Sequence, residues 1–316
     1  MKFLVAASAL FLCSLAAAQE YPVKPVRVIV PWPAGGTVDG LIRNVSPKLS
    51  EALGQPVVIE NRAGASGSLG AAEVAKAAPD GYTLLAVFDT HATNHHLYTA
   101  LPYDGYRAFE HITQIAGSPQ AFVGAANFAP KNIPALIAYG KANPGRITYA
   151  SVGGGSSNHL NAVLFASRGG IEMLHIPYKG GAPAMTDLLG GQVNVMIVSA
   201  WQTIAHIRSG KLTGLAVGGK QRMPQLPEVP AFAEFLPGFE ASSWTGIVAP
   251  ARTPAPIVAR LQREIVKVLQ ATLVREKLNT QGFEIVGSTP QDFAAFVVAE
   301  SDKWSKIMRE HAIRAE

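Results

Sequence analysis

The feature that most constrains the fold is an alternation of short, β-branched apolar runs with longer helical stretches. Eight such runs are nearly continuous in apolar residues, which is typical of strands covered on both faces. This order predicts α/β layers with mainly parallel strands. The predicted strands are 26–30, 57–59, 83–87, 147–150, 173–176, 193–198, 215–217 and 246–248. The predicted helices are 38–53, 68–78, 133–142, 157–167, 183–189, 257–273 and 290–313.

Size and charge exclude several classes of protein. The chain has 316 residues, which is enough for about two domains. Apolar residues make up 48% and charged residues only 16%, so a disordered or coiled-coil chain is excluded. The 27 basic and 22 acidic residues are scattered rather than clustered into a basic stripe. A nucleic-acid partner is therefore not expected.

The N-terminus has the pattern of a secretory signal peptide. Lys2 precedes an apolar run, 3–15, and Ala16-Ala17-Ala18 follows as a cleavage site. The sequence therefore predicts export to the periplasm, with cleavage near Ala18. Cys13 is the one cysteine of the chain, so the mature protein is expected to be held by packing rather than by disulfides.

The two halves of the sequence contain similar glycine-rich segments. The strand 26–30 leads into Pro33-Ala34-Gly35-Gly36-Thr37, and the strand 147–150 leads into Gly153-Gly154-Gly155-Ser156-Ser157. Each segment precedes a predicted helix, which indicates two α/β lobes joined by crossing strands near 115–122 and 239–246. The predicted division is a signal peptide at 1–18, lobe 1 at 19–118, lobe 2 at 119–240, and a return to lobe 1 with C-terminal helices at 241–316.

These two glycine segments are the strongest candidates for a binding site. Ligands of parallel α/β sheets sit beyond the carboxyl ends of the strands, where helix starts offer unpaired N–H groups to an anion. Glycine lets the backbone approach closely, and Thr37, Ser156 and Ser157 add hydroxyl groups. Ordinary tight turns with Ser/Thr caps are the alternative for either segment alone. Their occurrence in both halves favours binding, and neither segment matches a nucleotide-binding motif.

Several other polar residues have two interpretations. Asp39 is expected to tie the first loop to a neighbour rather than to contact an anion. His91, His95 and His96 resemble a metal cluster. No Glu lies inside an H-E-x-x-H arrangement, however, and no third ligand beyond such a histidine pair is evident nearby, so a polar loop is favoured and no metal is predicted. Asp89 ends a strand, so it is expected to face the cleft and to accept a hydrogen bond from a ligand's hydroxyl or amine.

The sequence does not favour catalysis. Ser156 with His159 is the conceivable nucleophile and base of a secreted hydrolase, but the G-x-S-x-G elbow is missing. Two polar groups lining one cleft are the simpler interpretation, so no catalytic residue is predicted. Trp32, Trp201 and Trp244 either wall a ligand or pack in the core and hinge, and packing is favoured for each.

The order of the motifs identifies a family. From end to end, the mature chain resembles the extracytoplasmic solute-binding proteins of the Bug family, the receptors of tripartite tricarboxylate transporters. The matching segments are YPVKP (21–25), PWPAGGTVD (31–39), VVIENRAGA (57–65), DGYTLL (80–85), HIPYKGGAPA (175–184), DLLGGQ (187–192) and SW (243–244). Each segment is modest by itself, and their common order and spacing make the match specific.

The resemblance implies a two-lobed periplasmic binding fold of type II-like architecture that closes on its ligand without a cofactor. It implies a small organic acid held by backbone amides and waters between two loops, and delivery to integral membrane subunits of a transporter. A receptor that signals to a sensor kinase is the alternative, and a secreted serine hydrolase is less favoured. The expected ligand is a di- or tricarboxylate or an aromatic acid.

Two positions depart from the family pattern. Val198 stands where relatives often carry an aspartate, which makes an amino-acid ligand less expected. Asp89 stands where relatives more often have a small neutral residue, which indicates a ligand with a hydrogen-bond donor at its far end. The complete set of expected ligand-binding residues is Trp32, Ala34, Gly35, Gly36, Thr37, Asp89, Gly154, Gly155, Ser156, Ser157, His159, Tyr178, Val198 and Trp244.

Overall fold

A 17-residue strand, β4, runs through the middle of the sheet in this computed structural model, which describes residues 21–314. The strands are β1 (Val26–Val30), β2 (Val57–Asn61), β3 (Thr83–Val87), β4 (Phe109–Ala125), β5 (Ile147–Ser151), β6 (Met173–Pro177), β7 (Val195–Ser199), β8 (Leu212–Val217), β9 (Ser242–Pro250) and β10 (Glu284–Ile285). The helices are α1 (Thr37–Leu53), α2 (Ser68–Ala75), α3 (Thr90–Leu97), α4 (Ile133–Ala142), α5 (Ser157–Gly169), α6 (Gly181–Leu189), α7 (Ala200–Arg208), α8 (Ala255–Gln270), α9 (Thr272–Thr280) and α10 (Pro290–Glu310). The predicted signal peptide lies outside the described residues.

Each end of β4 belongs to a different group of strands. In the first group, β1 pairs in parallel with β2 and β3, and β9 pairs antiparallel with both β3 and β4. In the second group, β5 pairs in parallel with β6 and β7, while β7 and β8 run antiparallel to β4. The order along the sheet is β2-β1-β3-β9-β4-β7-β5-β6.

The sheet is mixed, so the expectation of mainly parallel strands needs a correction. The parallel pairs lie in β2-β1-β3 and in β6-β5-β7, where helical connections carry the chain back to the same edge. The strands in the middle, β4 and β9, are antiparallel to their neighbours because they pass between the groups. Otherwise the α/β fold class is confirmed.

β4 and β9 connect the two groups. β9 pairs with the first part of β4, from Phe109 to Pro119, and β4 then pairs with β7 and β8 from Gln120 onwards. Before β9 begins, the amide of Ala241 donates to the carbonyl of Gly218 in the second group at 2.9 Å. The chain thus passes between groups near both predicted crossings, while the exact lobe boundaries stay a prediction.

The stretch after β3 differs from its predicted structure. It was expected to be a polar loop, and it forms the helix α3. The polar residues of α3 find buried partners elsewhere: Thr93 donates to the carbonyl of Gly155 at 2.8 Å, and His96 bonds Ser301 of α10 at 2.9 Å. Tertiary contacts therefore stabilise a helix that lacks an apolar face in its sequence.

Apolar packing holds both groups of strands together. One continuous core runs from Val28 in β1 through Phe122 in β4 to Phe165 in α5. A second cluster covers the other face of the first group, where Trp244 of β9 packs against Phe293 of α10. Within residues 21–314, none of the helices combines the length and apolarity that crossing a bilayer requires.

Candidate functional site

A small cavity lies between the two groups, beyond the carboxyl ends of the parallel strands. The start of α1 and the start of α6 meet here, since a Cβ atom on Gly35 would lie 3.9 Å from the Cβ of Ala182. Its volume is about 20 Å³, which is room for about one water molecule. The lining residues are Trp32, Gly36, Thr37, Val38, Phe88, Val152, Gly181 and Gln202.

The first loop leaves the start of α1 without a side-chain cap. Gly36 is the N-cap residue, and no side chain accepts a hydrogen bond from the first turn. The buried carboxylate of Asp39 instead accepts hydrogen bonds from the amide of Gly35 at 2.9 Å, from Arg43 at 3.0 Å and from Asn61 at 2.9 Å. As expected, Asp39 ties the loop. The amide of Gly35 is thereby occupied, and the first-turn amides of Thr37 onwards stay unpaired within the helix.

The charge of Asp39 is stabilised by these partners. Burial by itself raises the pKa of a carboxyl group. Hydrogen bonds from Arg43, Gly35 and Asn61 outweigh burial here and hold the pKa of Asp39 below its usual value. The loop is therefore fixed by an ionised carboxylate over the neutral pH range.

The second loop satisfies its own helix start. The hydroxyl of Ser156 donates to the carbonyl of Gly153 at 2.7 Å and accepts from the amide of His159 at 3.4 Å. The amide of Gly155 donates to Nδ1 of His159 at 3.2 Å, so the ring proton is on Nε2. Ser156 is thus a helix cap, and its hydroxyl makes no hydrogen bond to the imidazole of His159 that would activate a nucleophile.

His159 is held in its neutral form. Its ring stacks on that of His175 with 4.0 Å between the centroids. Burial, together with the neighbouring His175, lowers the pKa of His159 to about 3. Protonation of Nδ1 would also break the hydrogen bond from Gly155.

Residues of the first group hold the carbonyls of the second loop. The hydroxyl of Ser66 donates to the carbonyl of Gly154 at 3.1 Å, and Thr93 bonds the next carbonyl, that of Gly155. At the cavity itself, the hydroxyl of Thr37 donates to Oε1 of Gln202 at 3.0 Å. The two groups are therefore closed against each other both at the second loop and at the cavity.

Asp89 lies at the same boundary and is 1% exposed. No hydrogen bond of ordinary geometry reaches either of its carboxylate oxygens. Burial raises the pKa of Asp89 to about 7, although the hydroxyl and amide of Ser157 lie near enough to favour the charged form. The structure thus places Asp89 of the first group beside the start of α5 in the second group.

Three predicted ligand-binding residues are engaged elsewhere in this closed state. The hydroxyl of Tyr178 donates to Asp187 at 2.7 Å, and burial and this contact raise its pKa to about 12. Val198 is buried in β7 opposite Ala121 of β4. Trp244 packs against aromatic side chains of α10. Their contact with a ligand stays a prediction, as does that of Ala34, which is exposed in the first loop.

Helices α6 and α7 contribute to the site although none of their residues was among the ligand-binding residues expected from the sequence. Gly180 precedes α6 and Gly181 begins it, and α6 also lacks a side-chain cap. Gln202 of α7 accepts a hydrogen bond from Thr37 next to the first loop. A glycine pair before a helix is the same signal that revealed the first two loops. Phe88 and Val152 carry no such signal, since apolar residues that line a cavity have the same pattern as core residues.

The histidines near Asp89 do not form a metal site. Among residues 21–314, no three His, Cys, Asp or Glu side chains are arranged to hold a metal ion. Burial lowers the pKa of His91 strongly and that of His95 to about 4, so both are neutral at physiological pH. A larger cavity, of about 620 Å³, lies away from both loops, between the segment 218–225 and the turn from α9 to β10.

A comparison with protein families identifies the kind of protein to which this geometry belongs. The model of the tripartite tricarboxylate transporter family receptor matches residues 41–313. The chain belongs to this receptor family. Family members are periplasmic solute-binding proteins rather than enzymes, so the receptor binds a solute and the hydrolase alternative is excluded.

Individual relatives agree with the family. BugT of Bordetella pertussis is 38% identical over 296 residues, which cover 93% of this chain and 91% of that protein. The solved structure of Rpa4515 from Rhodopseudomonas palustris with adipate is 34% identical, with a TM-score of 0.91, and covers 94% of this chain and 100% of its own. MatC from the same organism, with bound malate, is 31% identical, with a TM-score of 0.86 and coverages of 91% and 99%.

Proposed function

We propose that this receptor captures a small carboxylate, either a di- or tricarboxylate or an aromatic acid, between the starts of α1 and α5 and delivers it to integral membrane subunits of a transporter. The observation that carries the proposal is the uncapped start of α1, fixed by Asp39 at the wall of the cavity between the two groups. The relatives with adipate and malate support a small organic acid as the ligand.

The start of α1 has the right chemistry for one carboxylate. Unpaired first-turn amides and the helix dipole favour an anion, and Gly36 adds no side chain to obstruct it. The indole Nε1 of Trp32 is buried without a hydrogen-bond partner and offers a further donor at the cavity wall. Charge-assisted hydrogen bonds contribute roughly 1.5–3 kcal/mol each, so a few of them are enough for about micromolar affinity.

Capture requires the two groups of strands, with the loops and helices that they carry, to separate and close again. The cavity of about 20 Å³ is too small for an acid with several carbon atoms. The contacts of Ser66 and Thr93 with the second loop, and of Thr37 with Gln202, hold the cleft closed. A ligand that binds the closed form more tightly than the open form shifts this equilibrium by its difference in affinity.

Thermal unfolding with a panel of acids tests the proposal. The panel contains adipate, malate, citrate and aromatic mono- and diacids, with the corresponding neutral amides as controls. A ligand that binds only the folded state stabilises it by about 2.7 kcal/mol at a hundredfold excess over Kd. We expect one class of acids to raise Tm with concentration while the amides leave it unchanged. A flat response to every acid, in protein shown by mass spectrometry to carry no ligand, would contradict the proposal.

A further inference from the structure

The starting observation is a buried carboxyl group that no partner satisfies. Asp89 precedes α3, is 1% exposed, and has neither oxygen in a hydrogen bond of ordinary geometry. An isolated charge in such a place is costly, and proteins avoid the cost by pairing the group or by neutralising it. No ion pair of Asp89 occurs among residues 21–314, so pairing does not explain it.

The surroundings of Asp89 disfavour a negative charge. From α10, the carboxylate of Glu300 faces it and raises its pKa. From its own helix, His91 is buried and neutral, so it provides no positive charge. The hydroxyl and amide of Ser157 in α5 and the amide of Thr90 in α3 lower the pKa of Asp89, and burial outweighs them. His159 of α5 is neutral as well.

The position of Asp89 is also significant. It extends from the first group to the start of α5, which is where the second loop is proposed to meet the ligand's carboxylate. Two carboxylates that share one helix start repel each other, and one of them then retains a proton, as in paired carboxyl groups generally. The retained proton also gives the two carboxyl groups a hydrogen-bond donor, which two ionised carboxylates lack.

We propose that Asp89 is a ligand-binding residue that carries a proton when the receptor is occupied and donates it in a hydrogen bond to the captured carboxylate. Capture of an anionic acid then takes up one proton from solution. This inference rests on the proposed function, because it needs a carboxylate at the start of α5. It assigns Asp89 the role of donor, whereas the sequence alone indicated an acceptor for a hydroxyl or amine of the ligand.

The direction of the pH dependence follows from linkage. Burial already raises the pKa of Asp89 to about 7, and a bound anion raises it further. Below pH 7 the proton is present before binding, so affinity is nearly constant. Above pH 7 binding must take up the proton, so we expect Kd to rise by up to about tenfold per pH unit.

Isothermal titration with adipate and with malate tests this inference. Kd is measured from pH 6 to pH 9, a range in which both acids are ionised. The heat at pH 8 is measured in two buffers of different ionisation enthalpy, and the difference counts the protons taken up. For the acid that binds, we expect an uptake close to one proton and a rising Kd above pH 7. A flat profile with no uptake overturns the inference and leaves the proposed function intact, whereas failure of the whole acid panel removes both.

Two variants identify the group that takes up the proton. Asp89→Asn keeps the shape and a donor, so we expect it to bind the acid with little change at pH 6 and to lose both the pH dependence and the uptake. Glu300→Gln is the matched control, which removes the neighbouring charge and keeps Asp89; it should retain an uptake, with the onset shifted to lower pH. A full uptake in Asp89→Asn would overturn the inference. If Asp89→Asn does not fold, the proton uptake of the unmodified receptor, compared with that of the Glu300→Gln variant, still tests the inference.

Discussion

The two glycine loops are similar in sequence and different in structure. The first loop leaves the start of α1 without a side-chain cap, and Asp39 in the first turn of α1 holds the loop through the amide of Gly35. The second loop caps its own helix with Ser156 and gives the amide of Gly155 to His159. The first-turn amides of α1 thus have no side-chain partner, whereas at the start of α5 the amides of His159 and Gly155 are bonded in the closed state.

This difference separates two tasks that a binding protein must perform. The first loop is held by the hydrogen bonds of Asp39, and the first turn of α1 has no side-chain cap, so the loop can recognise a carboxylate at little cost in ordering. The carbonyls of the second loop accept hydrogen bonds from Ser66 and Thr93 of the first group, so the position of this loop depends on whether the cleft is closed. Substitutions at the contact between the two groups and at the two helix starts test this division of tasks.

Gly40→Ala should hinder closure itself. A Cβ atom on Gly40 of α1 would lie 2.7 Å from Cζ2 of Trp201 in α7, so the methyl group wedges the two groups apart. Overpacking of this kind costs typically 1–3 kcal/mol, although alanine otherwise favours a helix. We expect affinity for the acid identified by thermal unfolding to fall by about a hundredfold in a titration.

Gly169→Ala is the matched control for this wedge. Gly169 ends α5, and its added methyl group would meet Ile137 at an ordinary 3.5 Å. It should leave affinity unchanged. Equal affinity in the two variants would show that the contact of Gly40 with Trp201 plays no part in closure.

Gly36→Ser should give the start of α1 a side-chain cap like the one that Ser156 provides at the start of α5. Gly36 has an extended backbone, φ −77° and ψ 173°, which serine adopts readily, and the new hydroxyl can cap the first turn of α1. The cap competes with a bound carboxylate for the same amides. We expect a stabilisation of about 0.3 kcal/mol in urea unfolding and an approximately tenfold weaker affinity.

Gly36→Ala separates the two effects, because it adds a methyl group at the same place without a hydrogen-bond acceptor. The Cβ of either variant would lie 3.4 Å from the carbonyl of Pro33. If alanine weakens binding as much as serine does, bulk rather than capping explains the loss, and the amides of α1 are not the anion site.

The two loops should also differ in how acid pH affects the groups that hold them. The second loop depends on neutral His159, whose pKa of about 3 in the folded state is below the ordinary value of about 6.5. Between those values the unfolded chain binds a proton that the folded protein does not, so stability falls as pH falls below about 6.5. The first loop depends on Asp39, whose lowered pKa keeps it ionised at pH 5.

His159→Gln measures this contribution. A glutamine oxygen can accept from the amide of Gly155 without titrating, so the variant should lose about 2 kcal/mol less stability than the unmodified protein between pH 7 and pH 5. Urea unfolding at both pH values measures the difference, and His206→Gln on α7 is the control. An identical loss in His159→Gln and the unmodified protein would contradict the role given to His159.

The strand pattern was predictable from the sequence, and the polar helix was not. The runs at 83–87 and 133–142 have the same bounds in the structure, because near-continuous apolar runs and a Pro/Gly stop are local signals. The helix α3 was missed, because its polar side chains are stabilised by distant partners such as Gly155 and Ser301. The short strand β10 was missed for a similar reason, since it exists by pairing with β4.

The sequence by itself determined the α/β class, both glycine loops and the receptor family, because these depend on periodicity and on the order of motifs along the chain. The tertiary structure alone decided which contacts join the loops across the cleft, since Ser66 and Thr93 reach the second loop and Gln202 reaches the first from distant parts of the chain. It also decided that Asp89 is buried with neither carboxylate oxygen in a hydrogen bond of ordinary geometry. Burial and hydrogen bonding depend on neighbours far apart in the chain, and therefore no local pattern encodes them.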